Sequence, residues 1–429
     1  MTIAIVGLGY VGLPLCLQFA RGGVTVLGLD LDPVKTGAIN AGRSYIRHIE
    51  AAAVADLVRA GRFSASTDFA RVREASAVLI CVPTPLKRNR EPDLSYVLKT
   101  GETIAPHLQR GALVVLESTT YPGTTEEELR AVLEAGSGLR AGVDFHLAYS
   151  PEREDPGNPA SRLADIPKVI GGYTPACLAA AQDLYGRVIH TLVPVANCRT
   201  AEAAKLLENI FRSVNIALVN ELKPVYAAMD IDIWEVIAAA QTKPFGFMPF
   251  YPGPGLGGHC IPIDPFYLSW KARQLGQESR FIELAGEVNT AMPQRVVERV
   301  GAALLAQKKN LRGALVLVLG LAYKAGVDDD RESPTYRLMD FLKANGAAAV
   351  AYYDPYIPVI RPSRLHAHWA GQKSVTWDQP VIAGYDVVLI ATAHAEINWH
   401  ELAAWAPLIV DTRNAMALVA TKPGQVWKA

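Results

Sequence analysis

The feature that most constrains the fold is a glycine-rich turn near the start of the chain. An apolar run of strand length at residues 3–6 leads into Gly7-Leu8-Gly9-Tyr10-Val11-Gly12, and a helical pattern begins at Leu13. In a turn of this type the first glycine permits a tight bend and the second lets the backbone approach a pyrophosphate. The third allows close packing of helix on strand. The motif therefore predicts a strand, a turn and a helix that together bind a dinucleotide.

An acidic residue further along the chain indicates which dinucleotide. Asp30 stands 18 residues after Gly12, at the end of a second apolar run at residues 24–29. A carboxylate at this point can accept the hydroxyls of a ribose, and it would repel a 2′-phosphate. We therefore expect NAD rather than NADP as the cofactor.

Further apolar runs predict the rest of the architecture. Runs at residues 77–82 and 113–116 continue the pattern of continuous strands separated by helix-length segments, which is typical of a parallel sheet covered on both faces. A second α/β pattern begins near residue 310, with runs at 314–319, 350–353, 386–390 and 408–410. Within this second pattern, Ser333 is a residue type favoured at a helix N-cap, and Pro334 is one favoured at the first position of a helix. Residues 316–323 resemble residues 3–10, but Ala322 replaces the middle glycine, so we expect a second nucleotide-binding-like half without the dinucleotide turn.

Between the two patterns the sequence changes character. Residues 200–229 lack glycine and carry apolar residues at helical spacing, which predicts a long helix that Pro224 kinks or divides. A Pro- and Gly-rich loop follows over residues 243–258. The predicted fold class is α/β, with two Rossmann-like doubly wound domains joined by a long central helix. The predicted domains are 1–198 for NAD binding, 199–300 as a central helical domain with a dimerisation surface, and 301–429.

Composition excludes several classes of protein. Half of the residues are hydrophobic, so the chain is not disordered. Lys plus Arg and Asp plus Glu both number 42, which gives no general attraction to nucleic acid or to anionic membranes. The first 20 residues carry no charge, but glycines and Pro14 interrupt them and no basic segment precedes them, unlike a signal peptide or a membrane span. The five cysteines include no CxxC pair, so we expect no disulfide framework, no zinc site and a cytoplasmic location.

Two groups of residues could carry chemistry. Cys260 lies in a Gly- and Pro-rich loop between His259 and Asp264, unlike four cysteines that we expect to be buried and inert: Cys16, Cys81, Cys177 and Cys198. Lys205 and Asn209 are four residues apart on the predicted long helix and share one face. That face is either solvated or aims an ammonium and an amide at a developing oxyanion, and the spacing leaves both alternatives open.

Seven motifs occur along the chain in order. They are Gly7-Leu-Gly-Tyr-Val-Gly-Leu-Pro14, Cys81-Val-Pro-Thr-Pro85, Glu117-Ser-Thr-Thr-Tyr-Pro-Gly-Thr124, Ser150-Pro-Glu-Arg153, Ala201-Glu-Ala-Ala-Lys-Leu-Leu-Glu-Asn209, Gly257-Gly-His-Cys-Ile-Pro-Ile-Asp264 and Arg331-Glu-Ser-Pro334. On these motifs the whole chain resembles the nucleotide-sugar 6-dehydrogenases, the UDP-glucose/UDP-mannose dehydrogenase family. The segment 253–268 is most similar to bacterial UDP-N-acetylglucosamine 6-dehydrogenases.

The resemblance implies an NAD-dependent oxidation of a sugar C6 alcohol to a carboxylate, in two steps, for surface polysaccharide biosynthesis. It makes Cys260 the nucleophile that forms a thiohemiacetal and then a thioester. It implies that Lys205 and Asn209 stabilise the oxyanions, that Asp264 assists a water or positions Lys205, and that Thr119 lies near the nicotinamide. The C-terminal domain would bind the UDP part of a UDP-sugar. The best substrate is UDP-N-acetylglucosamine, with UDP-glucose, UDP-N-acetylgalactosamine or UDP-N-acetylmannosamine, or a single-step reaction of the 3-hydroxyacid dehydrogenase type, as alternatives.

The resemblance also implies the contact residues. The cofactor contacts are Gly7, Gly9, Tyr10, Val11, Gly12, Asp30, Lys35, Thr84, Thr119 and Arg331. The substrate contacts are Glu152, Arg153, Glu154, Lys205, Asn209, Gly257, Lys324 and Arg413. The UDP-glucose branch carries Glu-x-x-x-Glu where this chain has Glu152-Arg-Glu154, which favours an N-acetylated sugar and leaves the hydrolytic base open among Glu152, Glu154 and Asp264. We expect a homodimer or higher homo-oligomer, with no nucleic-acid or membrane partner and no metal.

Overall fold

The apolar runs of the first half form a largely parallel sheet. The structure is a computed structural model that describes residues 1–47, 49–87, 89–153, 163–258, 260–363 and 365–429. The strands of this sheet are β1 (Thr2–Val6), β2 (Thr25–Leu29), β3 (Phe63–Ser66), β4 (Ala77–Ile80), β5 (Leu113–Leu116), β6 (His146–Tyr149), β7 (Lys168–Gly172) and β8 (Leu192–Val195). Their order is β3-β2-β1-β4-β5-β6-β7-β8, and among these described strands every neighbouring pair is parallel except β6 and β7.

Helices alternate with these strands and cover both faces of the sheet. Over the described residues of both halves of the chain, the helices are α1 (Gly12–Arg21), α2 (Pro33–Asn40), α3 (Ala51–Arg59), α4 (Ser95–Ile104), α5 (Arg130–Ser137), α6 (Pro175–Tyr185), α7 (Cys198–Ala227), α8 (Ile233–Ala240), α9 (Asp264–Gln274), α10 (Arg280–Ala306), α11 (Pro334–Ala344), α12 (Gln379–Ala383) and α13 (Trp399–Trp405), of which the first six lie between the strands of this sheet. Short helical turns lie at Phe69–Glu74, Ala105–His107, Leu163–Asp165 and Ala367–Trp369, and a π-helical turn at Thr125–Leu129 leads into α5. In the described part of the chain, no helix has both the length and the apolar character to cross a bilayer.

The strands of the first sheet are apolar along their whole length because both of their faces are covered. Ile3 and Ile5 lie in one core with Leu13 and Phe19 of α1, and Ala4 and Val6 lie in a second core with residues of α4 and α5. Burying one Ile or Leu side chain completely contributes about 1.5–3 kcal/mol. These two layers hold the carboxyl ends of the strands in fixed positions, and the candidate site residues follow those ends.

The second sheet is smaller and parallel. It contains β9 (Leu315–Leu319), β10 (Ala349–Tyr353), β11 (Val387–Ile390), β12 (Ile409–Asp411) and β13 (Val426–Lys428), in the order β10-β9-β11-β12-β13. Helix α11 begins as predicted, since Pro334 is its first residue and the Ser333 hydroxyl accepts a hydrogen bond from the Thr335 N–H at 3.3 Å. The α/β fold class with two such sheets and a helical central region is confirmed.

The similarity between residues 3–10 and 316–323 has a structural counterpart. In the first sheet the Asp30 carboxylate accepts a hydrogen bond from Leu8 N–H of the glycine turn at 2.9 Å. In the second sheet the Asp354 carboxylate, which follows β10, accepts hydrogen bonds from Leu321 N–H and Ala322 N–H at 2.7 and 2.9 Å. Asp354 also accepts two further backbone N–H groups and contacts the buried His394 ring. The Asp354 side chain is also fully buried, whereas 11% of the Asp30 side chain is exposed, so of the two carboxylates Asp30 is the one that can meet a ribose hydroxyl.

The predicted long helix is α7, which runs from Cys198 to Ala227 with Pro224 inside it. The proline removes one backbone hydrogen bond near the end of the helix, where the loss interrupts few others. The chain divides into two units, Met1–Asn209 with Ile263–Glu278 and Ile210–Pro262 with Ser279–Ala429, and the first of the three boundaries along the chain falls within α7. The division at 198 and 300 into three functional domains stays a prediction.

Candidate active site

The glycine turn has the geometry that the sequence predicts. Gly7 has a φ of +92°, and a Cβ added to it would lie 2.5 Å from the Cys81 carbonyl oxygen. A Cβ on Gly12 would lie 1.9 Å from the Gly7 carbonyl oxygen. At Gly9, apart from the glycine and its two chain neighbours, no heavy atom of the described residues lies within 4 Å of a Cβ position. Gly7 and Gly12 are therefore required because the backbone approaches them closely. Gly9, the middle glycine, leaves the backbone open to a ligand, as a pyrophosphate requires.

Asp30 closes this turn from the adjacent strand. One of its oxygens accepts Leu8 N–H and the Lys35 ammonium at 2.9 and 3.2 Å, and the other accepts Asp32 N–H at 3.0 Å. The Asp30 side chain is 11% exposed, so it can still meet a hydroxyl. Val11 occupies the N-cap position of α1, and Tyr10 packs half-buried against the core. The residues of the glycine turn and Asp30, which the sequence predicts as cofactor contacts, therefore lie together.

The face of α7 that carries Lys205 and Asn209 is buried. The Lys205 ammonium donates to the Glu152 carbonyl oxygen at 2.5 Å, and the Asn209 amide donates to the Asp264 carboxylate at 2.6 Å. Lys205, Asn209 and Asp264 are all buried. Of the two alternatives that the spacing left open, the solvated face is therefore wrong.

Asp264 is the first residue of α9, and its environment changes its acidity. Only 2% of the residue is exposed. Burial raises the pKa of Asp264 to about 7, although the Lys205 ammonium and the hydrogen bond from Asn209 oppose the change. Both protonation states are thus accessible near neutral pH. Such a carboxyl group can take up or release a proton during a reaction.

Glu202 is a functional candidate that the sequence analysis missed. It shares the buried face of α7 with Lys205 and Asn209, and its carboxylate accepts Gly123 N–H at 2.6 Å and Thr125 N–H at 2.9 Å. It also accepts the hydroxyls of Thr120 and Thr125. Burial raises the pKa of Glu202 to about 7, against the effect of these hydrogen bonds. The carboxylate thereby ties the segment after Thr119 to the helix of Lys205, and its three-residue spacing from Lys205 was the available signal.

Two threonines of the predicted cofactor set lie after neighbouring strands. Thr84 follows β4 and is buried, and Thr119 follows β5 and is half-buried. The Tyr267 hydroxyl of α9 donates to the Pro85 carbonyl oxygen at 3.1 Å. The rings of Tyr121 and Trp270 lie 5.1 Å apart. Helix α9, which begins at Asp264, is therefore packed against both of the segments that carry these threonines.

The segment after β6 is anchored by its arginine. The Arg153 guanidinium pairs with Glu208 of α7 at 2.8 Å and donates to the Pro167 carbonyl oxygen at 2.6 Å. A Glu152 carboxylate oxygen accepts the Arg153 N–H at 2.7 Å. These contacts give Arg153 a structural role in addition to the predicted substrate contact. Glu154 lies outside the described residues.

In the second unit, Cys260 differs from the other cysteines. Cys260 is exposed, whereas Cys16, Cys81, Cys177 and Cys198 are buried, as we expected. The loop before it packs against the segment that follows β9: Gly258 N–H donates to the Arg331 carbonyl oxygen at 3.2 Å. A Cβ on Gly257 would lie 2.7 Å from the Tyr323 Cβ. The backbone that leads to the thiol is thus fixed by close contact; His259 lies outside the described residues.

Three cations of the predicted site also belong to the second unit. Arg413 follows β12, donates to the Ala391 carbonyl oxygen at 2.7 Å and lies against Gly253. Burial lowers the pKa of the Arg413 guanidinium to about 10, which still leaves it charged at neutral pH. Arg331 is paired with Asp329 at 2.6 Å, with 47% of its side chain exposed, and Lys324 follows β9 half-buried. A buried cation beside glycine backbone suits an anionic ligand.

Three family models match the chain in succession. Residues 1–189 match the NAD binding domain of the UDP-glucose/GDP-mannose dehydrogenase family, residues 199–291 its central domain, and residues 317–417 its UDP binding domain.

The chain belongs to the UDP-glucose/GDP-mannose dehydrogenase family.

Members of this family with similar sequences act on UDP-N-acetylhexosamines, according to their names. The chain is 36% identical to UDP-N-acetyl-D-glucosamine 6-dehydrogenase of Pseudomonas aeruginosa, over 93% of the chain and 92% of that protein. It is 37% identical to UDP-N-acetyl-D-mannosamine dehydrogenase of Escherichia coli K12, over 92% and 94%. The UDP-D-ManNAc dehydrogenase structure from Pyrococcus horikoshii superposes with a TM-score of 0.89 at 33% identity, over 100% of this chain and 99% of that one.

These findings confirm the predicted family. Its description names GDP-mannose, whereas the resemblance had named UDP-mannose. The chain is an NAD-dependent oxidoreductase of the UDP-sugar dehydrogenase class. The prediction of NAD as cofactor is confirmed. The roles of individual site residues stay predictions.

Proposed function

We propose that this UDP-sugar dehydrogenase oxidises the C6 alcohol of a UDP-N-acetylhexosamine twice, to the uronic acid, with UDP-N-acetylglucosamine as the best candidate substrate. The observation that carries the proposal is the buried arrangement of Lys205, Asn209 and Asp264, which offers two donors and a carboxyl group of near-neutral pKa. The names of the relatives support an N-acetylated hexosamine but divide among the gluco, manno and galacto forms.

The proposed chemistry needs a nucleophile because the aldehyde formed first must not escape. Two molecules of NAD⁺, bound one after the other, would each accept one hydride from C6. The Cys260 thiolate adds to the aldehyde carbon to give a thiohemiacetal, whose oxidation gives a thioester. Water then hydrolyses the thioester to the carboxylate and restores the thiol. The exposed position of Cys260 supports this role, since the other four thiols are buried.

The remaining residues stabilise charge or move protons. Lys205 and Asn209 supply donors for the alkoxide and the thiohemiacetal oxygen, and one such donor typically contributes about 10²–10³ in rate. Asp264 takes the proton of the attacking water or, alternatively, positions Lys205; Glu152 and Glu154 stay alternatives for the hydrolytic base. Lys324 and Arg413 bind the phosphates of UDP, and Thr119 lies by the nicotinamide. Five cysteines without a disulfide support a reducing cytoplasm, where the enzyme works as a homodimer or larger homo-oligomer.

The test is an NADH-release assay with UDP-GlcNAc, UDP-ManNAc, UDP-GalNAc and UDP-glucose at equal concentrations. We expect two NADH per sugar and the highest kcat/KM with UDP-GlcNAc. A preference for UDP-ManNAc would make the manno epimer the substrate, and a preference for UDP-glucose would refute the assignment of an N-acetylated sugar. One NADH per sugar would instead favour the single-step alternative of the 3-hydroxyacid type.

Two variants test the proposed roles. Cys260→Ala should abolish turnover while NAD and UDP-sugar still bind, whereas the core control Cys177→Ser should keep wild-type activity. Lys205→Met should lower kcat by about 10²–10³ with a smaller change in KM, against a surface control, Lys422→Met. Two NADH per sugar from Cys260→Ala would overturn the covalent mechanism.

A further inference from the structure

A buried ion pair lies beneath the segment that carries Glu152. The Lys168 ammonium is 2.8 Å from a Glu117 carboxylate oxygen, and the side chains are 5% and 0% exposed. The Tyr185 hydroxyl donates to the other oxygen of Glu117. The Lys168 ammonium also donates to the Pro151 carbonyl oxygen at 3.3 Å. The pair therefore connects the residue after β5 with the backbone just before Glu152.

The antiparallel strand explains how a lysine comes to lie here. Parallel strands β4, β5 and β6 all end at the edge of the sheet where the candidate site residues follow. Strand β7 runs antiparallel to β6, with Tyr149 opposite Gly171, so its first residue, Lys168, lies at that same edge. A parallel strand in this position would place its first residue at the opposite edge.

The segment Ser150 to Arg153 is held from several directions. The Ser150 hydroxyl donates to the Val169 carbonyl oxygen at 2.8 Å, and Arg153 donates to the Pro167 carbonyl oxygen. The Pro151 and Glu152 carbonyl oxygens accept hydrogen bonds from two different ammonium groups, Lys168 and Lys205. Consecutive carbonyls held in this way fix the orientation of the peptide unit between them, because a peptide is planar.

Electrostatics keep the Lys168 side chain charged. Burial disfavours the ammonium, but the carboxylates of Glu117 and Glu152 outweigh it and raise the pKa of Lys168 above its ordinary value. Packing alone does not require such a pair, since well-packed apolar residues of similar volume can replace a buried ion pair with no loss of stability. The useful property of Lys168 is thus its hydrogen bond to the active-site segment.

We propose that Lys168 is a positioning residue, which holds the Pro151–Glu152 backbone so that the Glu152 carbonyl oxygen receives and orients the Lys205 ammonium. The inference rests on the proposed function, because it assigns Lys205 a task in the reaction. Lys168 acts through the peptide and does not touch the substrate. Loss of its hydrogen bond lets the peptide rotate and moves the Lys205 ammonium away from the oxyanion.

The test separates positioning from stability by replacing both members of the pair. Lys168→Met alone leaves Glu117 buried without its counter-ion, so the main variant is Glu117→Leu/Lys168→Met, in which both residues are apolar. The matched control is Asp56→Leu/Arg59→Met, which removes an ion pair on the surface. We expect the buried double variant to fold but to unfold at a lower temperature than the wild type, because the buried Tyr185 hydroxyl loses its acceptor. We expect its kcat with UDP-GlcNAc to fall at least tenfold, with KM for both substrates changed less than threefold.

Each result decides the proposal. Wild-type kcat per folded molecule in the buried double variant, at any Tm, would overturn it, because the pair would then serve stability alone. A raised KM with unchanged kcat would also overturn it and indicate a role in binding. A wild type that does not release two NADH per UDP-N-acetylhexosamine would overturn the proposed function and this inference with it, so the two failures are distinguishable.

Discussion

The raised pKa of Asp264 makes a quantitative prediction about stability and pH. The substitution Asp264→Asn keeps the shape of the side chain and a hydrogen bond to Asn209 but removes the titration. Asp264 has a pKa of about 7 in the folded protein, and an unfolded aspartate titrates near its ordinary pKa of about 4. The folded state therefore favours the protonated acid. The contribution of Asp264 to the free energy of unfolding is fully present below the pKa that it has in the unfolded chain. This contribution is lost as pH rises through about 7, the pKa in the folded protein.

The magnitude follows from the difference between the two pKa values. One pKa unit corresponds to about 1.4 kcal/mol, so between pH 5 and pH 8.5 the wild type should lose roughly 3 kcal/mol relative to Asp264→Asn. For a domain of this size, about 3 kcal/mol corresponds to roughly 6–12 °C in Tm. The assay is thermal unfolding of both proteins across this pH range, with the difference in Tm plotted against pH. The difference should grow in favour of the variant as pH rises.

A control of opposite sign makes the result specific. Asp378 is a surface residue whose pKa is lowered by the Thr376 hydroxyl and the Val381 N–H. Asp378→Asn should therefore lose stability relative to the wild type at higher pH rather than gain it. A Tm difference between Asp264→Asn and the wild type that does not change with pH would refute the reasoning, since it would mean that Lys205 and Asn209 fully offset the burial of Asp264.

Three further predictions concern other parts of the site. Glu202→Gln places an amide donor against the Gly123 N–H and should lower the free energy of unfolding by about 1–3 kcal/mol. The measurement is thermal unfolding, with Glu235→Gln as the surface control. Equal stabilities of the two variants would contradict the buried hydrogen bonds of Glu202. Gly9→Ala should fold normally and bind NAD at least about tenfold more weakly in a fluorescence titration. Gly12→Ala should lose about 1–3 kcal/mol of stability, because its new methyl group meets the Gly7 carbonyl oxygen. Normal NAD binding by Gly9→Ala would refute the open turn. Asp354→Asn should destabilise the second unit by about 1–3 kcal/mol without changing NAD affinity, and weakened NAD binding would contradict the assignment of this turn as structural.

Much of the fold could be predicted because it depends on local patterns. The apolar runs at residues 3–6 and 113–116 are strands, since short, continuous apolar runs are typical of strands covered on both faces. Helix α7 follows from spacing, and the N-cap at Ser333 from residue type. Strands β3, β6, β7, β8 and β13 and helix α10 were not predicted. In β8 the two middle residues are both exposed, so it lacks the apolar run of a covered strand, and Pro293 interrupts the pattern of α10.

The sequence by itself determined the glycine turn, Asp30 and the position of Lys205 and Asn209 on one helix face, because these depend on neighbours along the chain. Only the tertiary structure decided that this face is buried and that Asp264, 55 residues from Asn209, meets it. The same holds for Glu117 and Lys168, which are 51 residues apart and pair because one strand runs antiparallel. Burial and the neighbours across the fold set the charge state of a carboxyl or an ammonium group, and spacing along the chain carries no information about either.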